Sequence, residues 1–407
     1  MRKAITILII VMIIIIVLAT GFFVWWYLET QENKRIDAEA VTLKEDLTVE
    51  FGEKVKISDF LANLNGRLLN DYTVDTEQLG EITVTFDFIN IKNKKRTAQF
   101  KINIIDVTKP KIFSGASYTV TTGYNKDLTQ VLLSGDDIDD NPIRKIEGQY
   151  DFNVAGDYNL TYIVRDSSGN ETKKDFILHV VEPIEPSEQL EPPAVVESIY
   201  FDDIFQEHKN DKTKIGIDVS KWQGEINWED VKNAGVEFAI IRVGYQTDYD
   251  GEYVVDPYFI SNIEGAKAQG IPVGVYFYSY AKTVEQAVEQ AEWVKEQING
   301  YEIDLPITFD WESWNSFNKT GMSFYKINKV ANTFLSSLEQ AGYKGMLYSS
   351  KNYLEKIWYP TEYDVWLAHY TSKTNYQGKY HIWQRCDTGR VNGINGNVDI
   401  NVMYVNR

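Results

Sequence analysis

Residues 273–298 begin with the apolar run Val273-Gly-Val-Tyr-Phe-Tyr278 and continue, after a polar turn, into a helical pattern from Val284 to Ile298. The run is short and rich in β-branched and aromatic residues, which is typical of a buried strand. The second segment spaces its apolar residues by three and four positions, which indicates an amphipathic helix. A strand followed directly by a helix is the repeating unit of a sheet with parallel strands.

The same alternation extends in both directions and covers residues 213–407. Strands are predicted at 215–217, 238–243, 273–278, 307–311, 346–348, 365–367, 382–384 and 398–400. Helices are predicted at 228–234, 261–269, 284–298 and 324–340. This pattern predicts an α/β fold, a compact and irregular (β/α) barrel. In such barrels the chemistry lies at the C-terminal ends of the strands.

Acidic residues collect at these strand ends. Asp218 ends the first predicted strand, Asp310 and Glu312 end the fourth, and Asp399 lies in the last. The spacing of Asp310 and Glu312 places both on one face of a strand, with Trp311 on the other. A single aspartate at a strand end is commonly a helix cap or a turn residue. Four carboxylates converging from three strands favour a site for glycoside hydrolysis, which needs one protonated acid and one ionised carboxylate.

Other chemistries find less support in the sequence. His369 and His381 lack the spacing of a metal-binding motif, Cys386 is the single cysteine, and no P-loop or G-x-S-x-G motif occurs. We therefore predict no cofactor and no metal, although a divalent ion held by carboxylates alone stays open. The net charge of -18 argues against nucleic-acid binding. The 26 tyrosines and 10 tryptophans suggest stacking surfaces for neutral ligands such as sugars.

The C-terminal region resembles glycoside hydrolase family 25, the lysozymes (N-acetylmuramidases) of the Chalaropsis and phage-endolysin type. The resemblance rests on blocks that occur in the family's order: Gly216–Gly224, Phe238–Gly244, Gly274–Ser279, Phe309–Glu312, Val365–Tyr370, and Trp383-Gln384 followed by Gly393–Asn401. It covers essentially all of residues 213–407. The chain departs from the family pattern at Trp311, where an aliphatic residue is more usual, and at Arg385-Cys-Asp-Thr388.

The resemblance implies cleavage of the β-1,4 bond between N-acetylmuramic acid and N-acetylglucosamine. Glu312 would be the general acid, and Asp310 would stabilise the charged intermediate or orient the substrate's 2-acetamido group. Asp218 and Asp399 would position water and tune the pKa values. Whether an acetamido group or a carboxylate is the nucleophile stays open. Contacts with the glycan are expected from Arg242, Tyr276, Tyr278, Trp366, Tyr370, Trp383 and Gln384.

The N-terminus carries a long apolar segment. Residues 4–28 contain no charged side chain, and about 20 apolar residues suffice to cross a bilayer. Trp25, Trp26 and Tyr27 stand where an interfacial aromatic belt would lie. We predict that residues 1–28 are a cytoplasmic tip and an uncleaved signal anchor, with a cleaved signal peptide as the alternative. Either reading places the rest of the chain outside the cytoplasm, in the wall space of a Gram-positive bacterium.

Residues 37–107 and 108–182 show strand patterns that repeat at an offset of 76 residues, so that Gly80 matches Gly156. We predict two small all-β immunoglobulin-like sandwiches, followed by a Pro/Glu linker over 183–212. The turn Asp166–Asn170 resembles that of bacterial immunoglobulin-like surface domains. The sandwiches would be spacers or would bind a wall polymer. The acidic run Gly135–Asp140 reads as a solvated turn, with a Ca²⁺ site as the alternative.

These features together predict a membrane-anchored peptidoglycan hydrolase whose substrate is the glycan strand. One alternative is a wall-binding or adhesin-like surface protein with weak or no catalysis. A second is a hydrolase that acts on another acetylated glycan, such as chitin.

Overall fold

The computed structural model describes residues 2–183 and 198–405. It contains two compact units, Met1–Val107 and Thr108–Arg407. Most of the predicted linker, residues 184–197, lies outside the described residues. The two units are therefore taken one at a time, and the proposed domain boundaries stay predictions.

The first unit begins with the apolar helix α1 (Arg2–Ala38). Its segment Ile7–Ala38 is long and apolar enough to cross a membrane, a test that signal sequences also pass. The helix continues well past the predicted span of residues 4–28. At its end, Asp37 accepts hydrogen bonds from Arg96 Nε (2.7 Å) and Asn90 Nδ2 (2.8 Å). The last turn is thereby tied to the β domain that follows.

That β domain contains a four-stranded sheet in the order β2-β6-β5-β4 and the separate pair β1–β3. The strands are β1 (Val41–Leu43), β2 (Thr48–Glu50), β3 (Leu61–Leu64), β4 (Gly66–Leu68), β5 (Gly80–Asn90) and β6 (Lys95–Ile105). A 3-10 helix spans Ile57–Phe60. The alternating apolar residues of β5 and β6, such as Phe86 and Phe100, form the core.

The second β domain opens the second unit and has a related design. Its strands are β7 (Lys111–Ile112), β8 (Ser117–Thr121), β9 (Ser134–Gly135), β10 (Ile143–Glu147), β11 (Gly156–Arg165) and β12 (Glu171–Val181), with the helix α2 (Leu128–Val131). The hairpin β11–β12 lies 76 positions after β5–β6, as the repeat predicts. In each domain a short strand runs parallel to the second hairpin strand. This topology supports two copies of one β design, while the immunoglobulin-like assignment stays a prediction.

The barrel follows. Its strands are β13 (Ile199–Tyr200), β14 (Thr213–Val219), β15 (Ala239–Gln246), β16 (Tyr253–Val255), β17 (Val273–Tyr278), β18 (Ile307–Asp310), β19 (Gly345–Ser350), β20 (Asp364–Ala368), β21 (Ile382–Arg390) and β22 (Val398–Tyr404). Its helices are α3 (Phe201–His208), α4 (Trp228–Asn233), α5 (Phe259–Ala268), α6 (Val284–Gln297), α7 (Phe324–Gln340) and α8 (Lys351–Leu354). Two 3-10 helices span Lys221–Gln223 and Ser313–Lys319.

Eight strands close the barrel in the order β14-β15-β17-β18-β19-β20-β21-β22. The predicted strand positions and the barrel-like sheet are confirmed. The first seven strands run parallel, but β22 runs antiparallel to both β21 and β14. The reason is the short connection of residues 391–397 between β21 and β22, because a parallel neighbour needs a crossover of a dozen or more residues.

The segment before the barrel also belongs to it. Ile199 and Tyr200 pair with β21, and Phe201 and Ile204 are buried in the main core. These contacts join the last part of the predicted linker, from residue 199 on, to the barrel.

The acidic run Gly135–Asp140 is not a solvated turn, in contrast to the expectation. Asp136 is fully buried, and its Oδ1 accepts the N–H groups of Ile138 and Asp139. The backbone carbonyl of Asp136 accepts the N–H of Phe324 at 2.8 Å. The turn is buried because the second β domain packs against the barrel there.

Candidate active site

The four predicted carboxylates meet at the C-terminal mouth of the barrel. Asp218 in β14 and Asp399 in β22 are direct cross-strand partners. Asp310 is the last residue of β18, and Glu312 follows two positions later. All four line one open pocket of about 510 Å³. The pocket is lined by Asp218, Val219, Ser220, Trp222, Gln223, Arg242, Tyr276, Tyr278, Asp310, Glu312, Asp387, Asn397 and Asp399.

Asp218 and Asp399 form a buried pair held by two amides. Gln384 Nε2 donates to Asp218 Oδ2 and to Asp399 Oδ2, both at 3.0 Å. Asn401 Nδ2 donates to Asp218 Oδ2 at 2.7 Å. Burial raises the pKa of Asp218 to about 6, although these hydrogen bonds oppose the rise. Burial, followed by repulsion from Asp218, raises the pKa of Asp399 to about 9. At neutral pH Asp399 therefore keeps its proton while Asp218 is mostly ionised.

Two tyrosines fix the orientation of the shared amide. The hydroxyl groups of Tyr348 and Tyr370 donate to Gln384 Oε1 at 2.9 and 3.0 Å. Because the oxygen of Gln384 is occupied by these donors, its NH2 group points at the two carboxyl groups. The amide is thus a fixed donor to the carboxyl pair.

Asp310 and Glu312 form the second pair. Asp310 is buried, and its pKa is raised well above the ordinary value by burial and then by the neighbouring Glu312. Glu312 keeps part of its surface in the open pocket. Burial of the rest of the side chain raises the pKa of Glu312, while a hydrogen bond with Asp310 opposes this rise. A proton is therefore held between these carboxyl groups well above the usual pH range of a carboxylic acid.

Three of the predicted substrate contacts line the pocket, namely Arg242, Tyr276 and Tyr278. Arg242 is anchored by an ion pair of 2.7 Å with the buried Asp256. This pair holds the guanidinium group in place beside the acidic pocket. The residue is therefore a fixed positive charge among five lining carboxyl groups.

The other four predicted contacts do not line the pocket. Trp366 and Trp383 are 2% exposed, and their indole N–H groups donate to Asn401 Oδ1 and to the His369 carbonyl. Buried rings present no free face for stacking on a sugar, so the structure places these two in the packing of the barrel. Gln384 lies behind the carboxyl pair, and Tyr370 is half exposed with its hydroxyl on Gln384.

Sequence reasoning missed several residues of the pocket. Trp222 is 76% exposed and lines the pocket, with Lys221 Nζ 5.1 Å from its ring centre. Asp387 and Asn397 also line it. Asn401 was overlooked as a donor to Asp218, although its spacing of two from Asp399 places both on one face of β22. No signal in the sequence distinguishes Trp222 from a core tryptophan, because the 3-10 turn Lys221–Gln223 sets its exposure.

Comparisons with known proteins bear on this site. The model of glycosyl hydrolases family 25 matches residues 217–394, which include Asp218, Asp310 and Glu312. YegX, an uncharacterized protein of Escherichia coli K12, is 32% identical over 197 residues, which cover 46% of this chain and 68% of YegX. Lysozyme M1 of Streptomyces globisporus is 30% identical over 205 residues, 46% of this chain and 66% of that protein. A solved bacterial lysozyme from Streptomyces coelicolor has 26% identity, covers 47% of this chain and 92% of its own, and gives a TM-score of 0.40.

Proposed function

Because the chain belongs to glycosyl hydrolase family 25, we propose that it is a lysozyme that cuts the β-1,4 bond between N-acetylmuramic acid and N-acetylglucosamine in peptidoglycan. The observation that carries the proposal is the convergence of two carboxyl pairs in one open pocket. Each pair contains a carboxyl group whose pKa is raised, which lets an acid keep its proton at neutral pH.

Glu312 is the proton donor in this proposal. Its carboxyl reaches the open pocket, whereas Asp310 beneath it is buried and shares a hydrogen bond with it. Glu312 passes its proton to the glycosidic oxygen as the bond from that oxygen to the anomeric carbon breaks. This step leaves the pair without its shared proton, so the ionised Glu312 can accept a proton from the attacking water, which restores the shared proton.

In this proposal Asp218 supplies negative charge near the sugar ring that becomes positively charged as the glycosidic bond breaks. Its pKa of about 6 leaves it mostly ionised at neutral pH, while the protonated Asp399 beside it adds no second charge. Gln384 and Asn401 hold Asp218 in a fixed position. The acetamido group of the substrate and an enzyme carboxylate both stay open as the nucleophile, and Asp310 would orient the acetamido group in the first case.

Two aromatic rings of the pocket lining bind the glycan in this proposal. Trp222 and Tyr278 lie on the lining of the pocket, and their apolar faces suit the C–H faces of a sugar ring. Trp222 is also the most exposed of the large hydrophobic side chains in the described residues. It therefore replaces the two buried tryptophans as the expected platform.

We also propose that α1 anchors the protein in the cytoplasmic membrane, with the barrel in the wall space of a Gram-positive cell. Support comes from the apolar side chains of α1 between Ile7 and Leu28, which are exposed. Protease added to intact protoplasts tests this: digestion of the barrel with retention of α1 in the membrane fraction is expected. Recovery of the barrel in the medium without α1 would indicate a cleaved signal peptide.

The enzymatic proposal is tested with the full chain in detergent, acting on purified peptidoglycan. We expect loss of turbidity and new reducing-end muramic acid. Glu312→Gln should abolish both, and Glu296→Gln, on the exposed surface of α6, is the matched control that should keep them. New reducing-end N-acetylglucosamine, or cleavage of chitin instead, would refute the stated bond. No cleavage by folded protein would point to a wall-binding role.

A further inference from the structure

The second β domain contacts the barrel at the segment that follows Glu312. The 3-10 helix Ser313–Lys319 starts directly after Glu312. Its Asn318 is 8% exposed and bonds three backbone groups of the β domain. Asn318 Nδ2 donates to the carbonyls of Thr129 and Leu132, both at 2.8 Å, and its Oδ1 accepts the N–H of Ser134 at 3.0 Å. One side chain thus forms three hydrogen bonds to the backbone of the second β domain.

A layer of aromatic rings continues this contact toward the catalytic residues. Gly135 of the β domain lies so close that a Cβ atom there would be 2.6 Å from the Phe324 ring and 3.0 Å from Phe317. Phe317 stacks on Phe324 with 5.4 Å between ring centres, and its ring meets Trp311 edge-on at 6.0 Å. Trp311 stands between Asp310 and Glu312 in the chain. The tryptophan at position 311, where an aliphatic residue is more usual in the family, therefore belongs to the layer of rings that the second β domain covers.

A second part of the same interface does not touch residues 313–319. Asp140 Oδ1 accepts the N–H of Ser323 at 2.8 Å, and its Oδ2 pairs with Lys326 Nζ at 3.0 Å. These contacts serve the beginning of α7, whose first N–H groups have no partner within the helix. The interface therefore has one part at the segment after Glu312 and another at the end of a helix.

We propose that the second β domain is a positioning element of the active site, which sets the place of the Glu312 carboxyl through Asn318 and Gly135. The proposal rests on the lysozyme function proposed above. Glu312 has its side chain partly in solvent, so the backbone of the following segment decides where its proton is delivered. Misplacing a catalytic group by about 1 Å can cost about a hundredfold in rate. Asn318 and Gly135 are positioning residues in this scheme, because neither lines the pocket.

The test compares two losses at the same interface in the full chain. Asn318→Ala removes three hydrogen bonds to the segment after Glu312, and Asp140→Ala removes the hydrogen bond to Ser323 and the ion pair with Lys326 at the beginning of α7. The assay measures kcat and KM on soluble glycan strands of alternating N-acetylglucosamine and N-acetylmuramic acid, together with the thermal midpoint of each variant. We expect Asn318→Ala to lower kcat roughly ten- to a hundredfold with KM within about twofold. Asp140→Ala should keep kcat within about twofold of the wild-type value, even if its thermal midpoint falls as far as that of Asn318→Ala.

Two results would overturn the proposal. One is an unchanged kcat in folded Asn318→Ala, and the other is an equal fall of kcat in both variants, which would mean that the interface supplies stability alone. If Asn318→Ala fails to fold, Gly135→Ala decides, because its methyl group presses on Phe324 and Phe317 from the β domain and leaves the barrel sequence intact. It should lower kcat in the same way, and an unchanged kcat refutes the proposal. Failure of the lysozyme function itself is distinct, since the wild-type chain would then cut no glycan.

Discussion

Replacing Asp218 by asparagine should make the barrel more stable at neutral pH while it removes activity. The carboxyl is buried, and its pKa is raised from the ordinary 3.8 to about 6. Below pH 3.8 the folded and unfolded chains both carry the proton. Between that pH and 6 the unfolded chain ionises while the folded chain keeps its proton, so the free energy of unfolding falls as the pH rises.

The size of this loss follows from the shift. A difference of about two pKa units corresponds to about 3 kcal/mol, at about 1.4 kcal/mol for each unit. Asparagine cannot ionise, so Asp218→Asn escapes the loss. Its Oδ1 can still accept the hydrogen bonds of Gln384 and Asn401, and its NH2 group can face Asp399. The stability difference between variant and wild type should therefore grow by about 3 kcal/mol from pH 3 to pH 7.

Urea unfolding of the full chain in detergent, at several pH values, measures this difference. Eight of the 10 tryptophans lie within residues 222–383, so their fluorescence reports on the barrel. Asp211→Asn, in the exposed turn before β14, is the control and should follow the wild type at every pH. A stability difference that does not change with pH would refute the placement of Asp218 as a buried carboxyl that prefers its proton.

Three further outcomes are expected. Activity should fall on the alkaline side of the profile of kcat against pH, because the proton held between Asp310 and Glu312 is lost there. Asp310→Asn should move this alkaline limb, since Glu312 then titrates beside a neutral amide. An unmoved limb would contradict a shared proton. Trp222→Ala should raise KM on glycan strands several-fold and leave the thermal midpoint within a degree or two, because the ring is 76% exposed; a large fall of the midpoint would show a packing role instead. Cys386 is buried with its pKa raised to about 11, so iodoacetamide at pH 8 should label it only after unfolding, and rapid labelling of the native chain, read by mass spectrometry, would contradict its burial.

Much of the barrel could be predicted because its strands and helices follow from local sequence patterns. The run 273–278 and the helix pattern after it correspond to β17 and α6 within a residue. The helix predicted at 324–340 has the bounds of α7. The spacing of Asp310 and Glu312 predicted that both would face the mouth of the barrel, since alternation along a strand depends only on neighbouring residues.

The faces of the aromatic residues could not be predicted in the same way. Trp366 and Trp222 are both tryptophans in blocks that carry the family resemblance, yet one is 2% and the other 76% exposed. A barrel strand buries both of its faces, one against the interior and one against the helices, so an apolar pattern does not tell which ring meets the substrate. The antiparallel course of β22 likewise depends on which strands it closes against.

Local patterns therefore account for the apolar helix, the repeated β design, the barrel strands and the carboxylates at their ends, because each depends on residues a few positions apart. Contacts between distant parts of the chain decide the rest. The raised pKa of Asp399 arises from burial beside Asp218, which lies 181 positions away. Asn318 Nδ2 donates a hydrogen bond to the carbonyl of Thr129, which lies 189 positions earlier in the chain. No periodicity in either segment predicts that contact. Such contacts exist only once the whole unit has folded, since folding brings their backbone groups together and excludes water from them.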